Sequence, residues 1–267
     1  ERTVLASCRT FFSSIGSTVV SAFALTLVDK FGNGNEALGF RIVMMIFGVV
    51  GCLVFFFCFF NTKERVTIKQ EKVSLKANIS CLLHNKPWRL FALNIVWFFG
   101  GFVIQASAVI YYFTYVVQNT TLVQIVATIT TLVPIVTNLC APFLVKLTSK
   151  RNLMVGGSFV HMGGLLIIFF GGTNVPVLLA GAVIAAAGYG LKGSMHFAMQ
   201  PDPVDYGEWK SGVNTAGTLS AVNGFIGKVG MAVASSIGAA LLQFGGFDAN
   251  LTVQTTTAQH YITAMYI

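Results

Sequence analysis

Charged residues are scarce in this sequence of 267 residues: they make up 10% of the chain, whereas 55% of it is hydrophobic. Soluble globular proteins carry about 25% charged residues, so the composition excludes an ordinary water-soluble enzyme. It also excludes intrinsic disorder, because disordered chains are poor in hydrophobic residues. A transmembrane helix needs about 20 apolar residues. The length and composition therefore predict an all-α membrane protein with about seven complete spans and part of an eighth.

Signatures of catalysis and of metal binding are lacking as well. The five cysteines contain no CxxC pair, and the four histidines lack the spacing of a metal site. Glycine pairs such as Gly163-Gly164 are not followed by the Lys-Ser/Thr of a phosphate-binding loop. In a membrane span such pairs favour close helix packing. We therefore expect neither an enzyme nor a resident cofactor, and the basic residues lack the stacking platforms of a nucleic-acid-binding module.

Apolar runs divide the chain into seven complete predicted spans and the beginning of an eighth. The spans cover residues 8–28, 40–60, 90–116, 123–145, 153–171, 176–198 and 213–243, and the eighth begins near 258. Because the chain begins with Glu1 and the eighth run stops early, we expect a helical bundle that is incomplete at both ends.

Basic residues concentrate in the connection 61–89, which holds seven Lys or Arg and two Glu, or +5 of the chain's net +8. The positive-inside rule makes this connection cytoplasmic, and strict alternation places residues 200–212 on the same side. Trp88 and Trp209 then fall at the inner interface, where aromatic belts lie. The expected location is the lipid bilayer of the cell (inner) membrane, as an integral multi-pass protein.

Lys228 is the basic residue farthest from either end of a predicted span. It lies 15 residues into the run that starts at Val213, about 22 Å deep at 1.5 Å per residue. All nine acidic residues lie in loops or at span ends, and an unpaired buried ammonium is strongly disfavoured. Lys228 is therefore neutral, faces water, or pairs with a carboxylate outside this chain. We favour the third hypothesis.

Other residues of the spans have structural interpretations beside functional ones. Arg9 and Lys192 lie close enough to span ends for their side chains to snorkel to the interface. A small-residue seam recurs every three or four positions along the last complete span, and we interpret it as a face for close helix packing. Its members are Gly227, Gly230, Ala234 and Gly238.

The segment Asp202-Pro-Val-Asp-Tyr-Gly-Glu-Trp-Lys places three carboxylates within seven residues at a cytoplasmic helix boundary. Asp202, Asp205 and Glu208 suit a switchable cluster of salt bridges, and the two aspartates suit the first turn of a helix. The structural alternative is a solvated turn started by Pro201 and Pro203.

This segment, followed by Lys228 in FIGKVGMA, resembles the glycoside–pentoside–hexuronide:cation symporter family of the major facilitator superfamily, the family of melibiose permease. CRTFFSSIG near the start, GFRIVMMIFG and VIYYFTYV also look like family features. The resemblance implies that the chain covers about helices 5 to 11 and the start of helix 12. Residues 1–60 would then end the N-terminal bundle, 61–89 would join the bundles, and 90–267 would form a C-terminal bundle truncated in its last helix.

The resemblance also implies a function: symport of a small sugar or glycoside with a coupling cation, sodium or proton, by alternating access. Arg9, Lys228 and Asn223 match positions implicated in sugar binding, and Asp202, Asp205 and Glu208 match a cytoplasmic gate cluster. The carboxylates that bind the cation are expected in N-terminal helices absent here, so no metal ligand is assigned in this chain. An uncoupled facilitator or exchanger and a non-transporting membrane sensor remain open as alternatives.

Overall fold

The computed structural model describes residues 2–63, 75–212 and 215–267. The described residues form helices and no strands. Their bounds are α1 Arg2–Gly32, α2 Glu36–Asn61, α3 Leu75–His84, α4 Lys86–Tyr111, α5 Thr120–Leu147, α6 Lys150–Gly171, α7 Val175–Met199, α8 Asp202–Ser211, α9 Ala216–Phe244 and α10 Thr256–Tyr266, with a π-helical turn at Tyr112–Val116 after α4.

Six of these helices are long and apolar enough to cross a membrane: α2, α4 with its π-helical turn, α5, α6, α7 and α9. In α1 the apolar stretch of described residues is the shorter segment Val4–Val20. Large apolar side chains cover the outside of these helices, as on α2, where Phe55 is 79% exposed. The predicted all-α membrane fold is confirmed.

The chain divides into two compact units. One consists of Glu1–Phe11 with Lys72–Ile267, and the other of Phe12–Glu71. In the second unit, α1 and α2 approach closely where Gly39 of α2 meets the backbone of Val28. Three of the seven basic residues of the predicted inter-bundle connection, Arg65, Lys69 and Lys72, lie outside the described residues.

Helices lie in two of the connections between the predicted spans. Part of the connection 61–89 is helical, as α3. The DPVDYGEWK segment is the helix α8 rather than a solvated turn. Proline fits the first turn of a helix because the backbone N–H groups of that turn have no acceptor within the helix, so the missing N–H of proline costs no hydrogen bond. Asp202 and Asp205 lie in the same turn, where their negative charges interact favourably with the helix dipole. Gly212, with a φ of 70°, ends the helix in the left-handed conformation.

Helix α9 packs its small-residue seam against α4 and α10, as predicted. A methyl group on Gly230 would lie 3.2 Å from Cα of Val96 in α4, and one on Gly238 would lie 3.6 Å from Met265 in α10. Close approach of the two backbones places α9 directly beside α4. The polar residues of these two helices therefore meet.

Candidate functional site

A cavity of about 660 Å³ lies where the first half of α4, the end of α7 and the first half of α9 meet α8 and Arg9 of α1. Aromatic and polar side chains share its wall. The aromatic ones are Phe99 and Phe197, and the polar ones are Arg9, His196, Gln200, Asp205, Glu208, Ser220 and Asn223. The cavity thus brings together four of the six residues that the sequence assigned to a site.

Asn223 is 3% exposed, yet half of its amide lacks a partner. The indole Nε1 of Trp88 donates to Asn223 Oδ1 at 3.0 Å. Asn223 Nδ2 is buried and has no hydrogen-bond partner among the described residues. A buried amide donor without an acceptor is costly, and this one belongs to a residue of the cavity wall. Trp88 thus holds the Asn223 side chain against α4, with its Nδ2 enclosed by the protein.

Arg9 enters the cavity from α1. Its guanidinium carbon lies 5.5 Å from the centroid of the Phe197 ring, the geometry of a cation–π contact. Arginine carries five N–H donors and no acceptor, so its outward-facing donors can bind hydroxyl or carboxylate oxygens. Arg9 is therefore a source of donors in the cavity wall.

His196 belongs to the same wall but was not predicted from the sequence. It stacks on Phe98 with ring centroids 4.2 Å apart and planes 5° apart, and its Nδ1 is hydrogen-bonded to Asn94 Oδ1 at 2.9 Å. The sequence showed four scattered histidines without ligand spacing. The signal that could have indicated His196 was the spacing of Phe91 and Phe98, which lie two turns apart on one face of α4. Both rings stack on the His196 ring.

The three carboxylates of α8 are divided between two environments. Asp202 pairs with Lys150 at the start of α6, with Nζ 2.9 and 3.0 Å from its two oxygens. Lys150 Nζ also donates to the carbonyl of Ala198 at the end of α7, at 3.3 Å. Asp205 and Glu208 line the cavity instead. The ion pair thus joins α8 to the α6–α7 pair, whereas the other two acids face the cavity.

Lys228 lies outside the wall of this cavity but close to it. It follows Ser220 and Gly224 at intervals of four residues, so it occupies the same face of α9, about 6 Å beyond Gly224. Its depth agrees with the prediction, since it lies 12 residues, or about 18 Å, from Ala216 at the start of α9. Within the described part of the chain no carboxylate lies within ion-pair distance of it. Its predicted role in binding stays a prediction.

Two aromatic predictions have different outcomes. Trp209 on α8 is 81% exposed, which agrees with an interfacial position. Trp88 is 6% exposed and packs against Leu82 and Leu219. Its indole therefore faces the interior of the protein rather than the lipid headgroups, because Asn223 supplies the acceptor that an interfacial tryptophan would find in water.

Comparisons with known proteins agree with this picture. The model of the family described as MFS/sugar transport protein matches residues 1–267. An isoprimeverose transporter of Lactiplantibacillus pentosus is 32% identical over 100% of this chain and 57% of its own length. A putative glycoside/cation symporter of Escherichia coli (strain K12) is 27% identical over 95% of this chain and 56% of its own length. A glucuronide carrier protein homolog of the same strain is 28% identical over 79% of this chain and 46% of its own length. The chain spans about half the length of these relatives.

Proposed function

The chain belongs to the MFS/sugar transport protein family, and we propose that the whole protein is a secondary active transporter that carries a small sugar or glycoside together with a cation, sodium or proton. Family membership makes it an integral multi-pass membrane protein and not an enzyme. The observation that carries the proposal is the cavity itself, whose wall combines Arg9, Ser220 and Asn223 with the rings of Phe99 and Phe197.

The cavity wall suits a sugar. The volume of the cavity, about 660 Å³, lies within the range of small-molecule sites, about 300–1,000 Å³. Sugars combine hydroxyl groups with apolar C–H faces, and the wall combines the donors of Arg9 and the hydroxyl of Ser220 with the rings of Phe99 and Phe197. The names of the relatives, which specify isoprimeverose, a glycoside and a glucuronide, support a glycoside as the substrate.

Lys228 supports coupling to a cation. An ammonium deep in a membrane protein needs an anion or water beside it. We place its counterions, the carboxylates that bind the coupling cation, in the part of the relatives' length that this chain does not span. Lys228 would then contact both the cation site and the sugar site, since it follows the cavity-lining residue Gly224 on one face of α9.

The cytoplasmic helix α8 supports a gate. Asp202 anchors it to α6 through Lys150, while Asp205 and Glu208 face the cavity. In the proposed transporter, residues 1–60 belong to one six-helix bundle, 61–89 connect the bundles, and 90–267 belong to the other. Transporters of this kind alternate access by moving one bundle against the other around a central site, and carboxylates at the rim of the cavity can form and break cross-bundle ion pairs.

Uptake into membrane vesicles that contain the whole protein tests the proposal. The probes are radiolabelled methyl xyloside, methyl glucoside and methyl glucuronide, each with an inward gradient of sodium, an inward gradient of protons, or neither. A coupled symporter accumulates one of them uphill only with one of the gradients. Counterflow that is independent of both cations would identify a facilitator, and no uptake of any probe would contradict transport of a glycoside.

A further inference from the structure

A second cavity, of about 410 Å³, is lined mainly by α4, α5 and α7 and shares no residue with the candidate sugar cavity. Apolar side chains form most of its wall, among them Val109, Ala127 and Ala182. A smaller cavity of about 350 Å³ lies beside it, toward α6 and α10. Five residues line both cavities, which therefore border each other: Phe102, Gln105, His161, Tyr189 and Tyr266.

Lys192 brings a positive charge to these cavities. It lines the smaller one, and its ammonium lies 5.2 Å from the centroid of the Tyr189 ring. Tyr189 precedes it by about one turn of α7, so the side chain is directed toward the middle of the helix. Snorkelling would require the opposite direction, toward the end of α7 at Met199. Within the described part of the chain no carboxylate lies within ion-pair distance of Lys192, and the described walls of the two cavities hold no Asp or Glu.

The polar groups beside this charge are open to the cavities. Ser7 Oγ and Asn223 Nδ2 are the side-chain atoms of the described residues that are both enclosed and unpartnered. Lys192 Nζ and the amide of Gln105 also form no hydrogen bond with another described residue, but both residues are only half-buried and these atoms retain accessible surface. The ammonium and the amide NH₂ group are therefore donors that a ligand can reach.

His161 is compatible with an anion at this place. Its Nδ1 donates to the carbonyl of Ala185 at 2.8 Å, since a carbonyl oxygen only accepts. The other ring nitrogen, Nε2, can take up a proton without breaking this bond. The histidine can then donate to an anion that Lys192 binds.

We propose that the two cavities form a binding site for a small amphipathic anion, with a carboxylate at Lys192 and Gln105 and an apolar body between α4, α5 and α7. A donor that carries a charge forms a stronger hydrogen bond than a neutral one, and more so away from water. The aliphatic wall of the larger cavity suits a hydrocarbon chain or ring, and its volume lies in the range of small-molecule sites. This site is separate from the proposed sugar site.

The purified whole protein, titrated in the absence of sugar, tests the proposal. The probes are 4-phenylbutyrate, its neutral amide 4-phenylbutanamide, and butyrate, which lacks the ring. The acid should bind about tenfold or more tightly than the amide, because only the acid pairs with the ammonium. Butyrate should bind more weakly than phenylbutyrate, because it buries less apolar surface. Equal affinities of acid and amide, or no binding of either, overturn the proposal.

Lys192→Met removes the charge and keeps an apolar side chain of similar length. The advantage of the acid over the amide should then fall about tenfold. Lys146→Met is the matched control, because the Lys146 ammonium also lies over a ring, 6.0 Å from the centroid of Phe143, but lines neither cavity. An unchanged advantage in Lys192→Met, or an equal loss in the two variants, contradicts the assignment of the carboxylate to Lys192.

Ala127→Phe tests the apolar part of the site without altering its charge. The new ring fills the larger cavity from α5, so phenylbutyrate should bind about tenfold more weakly. Thr128→Phe, at the next exposed position of α5, lies outside the cavity wall and should leave the affinity unchanged. An unaltered affinity in Ala127→Phe overturns the proposal even if Lys192→Met does not fold.

Glycoside uptake, measured on the same preparation in vesicles, separates this proposal from the proposed function. Uptake without anion binding overturns the anion site alone. Anion binding without uptake of any glycoside supports the anion site and contradicts the proposed function.

Discussion

Two glycine-rich contacts in this protein, α6 with α7 and α4 with α9, are built in different ways. Between α6 and α7 both helices supply glycines, and a methyl group on Gly164 or Gly188 would overlap the backbone of the opposite helix. Between α4 and α9 the approach is less tight: a methyl group on Gly230 would lie 3.2 Å from Cα of Val96, and one on Gly227 would lie 3.2 Å from the ring of Phe99. The first contact leaves no room for a methyl group at Gly164 or Gly188, whereas the second is less tight and includes a groove at Gly227 that holds the Phe99 ring.

The difference has a functional meaning because the cavity borders the second contact. Phe99 and Asn223 lie on α4 and α9 and both line the cavity. A ring can turn about its side-chain bonds, but two backbones in contact cannot adjust without moving whole helices. We therefore expect α6 and α7 to move as one body during transport and the contact between α4 and α9 to change shape.

The largest expected effect comes from breaking the backbone contact. Gly164→Ala places a methyl group against Ala185, and overpacking of this kind costs about 1–3 kcal/mol or more. We expect most of the folded protein to be lost, measured as the yield and melting temperature of the purified whole protein. Gly163→Ala is the control, since nothing lies within 4 Å of its added methyl group. Equal yields for the two variants would contradict the rigid contact.

Removing the ammonium beside the second contact should abolish coupling. Lys228→Ala leaves the folded protein intact, because the residue is exposed in the described structure, but uphill accumulation of sugar should fall to the level of empty vesicles. Lys146→Ala, at the end of α5, removes the same charge near the interface and should leave accumulation unchanged. Full accumulation in Lys228→Ala would make this lysine a bystander.

A methyl group in the groove should alter transport more than stability. In Gly227→Ala the Phe99 ring must shift by a few tenths of an ångström, so we expect a melting temperature close to that of the wild type and a transport rate reduced several-fold. Gly217→Ala, also on α9, adds its methyl group in open space and should transport normally. A loss of stability as large as in Gly164→Ala would show that the two contacts are equally rigid.

The smallest effect is expected where α8 joins α6. The Lys150 and Asp202 side chains are 29% and 43% exposed, and such pairs contribute about 0.2–1 kcal/mol. Lys150→Met and Asp202→Asn should each lower the melting temperature slightly. Each should also shift the transporter in vesicles toward either the inward-facing or the outward-facing state, measured as the ratio of inward to outward transport rates. A double-mutant cycle on that ratio gives the coupling, and additivity of the two changes would argue against a gate.

The sequence predicted the helices well and the cytoplasmic segments less well. Apolar runs and loop charge depend on composition along the chain, so the spans, the depth of Lys228 and the small-residue seam of α9 could be found without a structure. The sequence of α8 allows both a helix and a solvated turn, because Pro201, Pro203 and Gly207 favour a turn whereas the acidic first turn favours a helix. The first-turn chemistry decided the outcome.

The site residues illustrate the limit of prediction. Arg9 and Asn223 were found by resemblance to a family, and the structure places both in one cavity wall. Trp88 and His196 were missed, since an isolated tryptophan at a span end is typical of an interfacial belt and an isolated histidine matches no motif. Their partners, Asn223 and Asn94, lie 135 and 102 residues away along the chain.

The sequence alone determined that the spans lie in lipid and that each of them is a helix. A backbone in hydrocarbon must satisfy its hydrogen bonds within the segment, and a helix does so. Which face of each helix meets the cavity was decided only by tertiary packing. The glycines of α9 admit Phe99 and Val96 of α4, and that approach sets the rotation of both helices. Through it, Trp88 reaches the amide oxygen of Asn223 across the two helices.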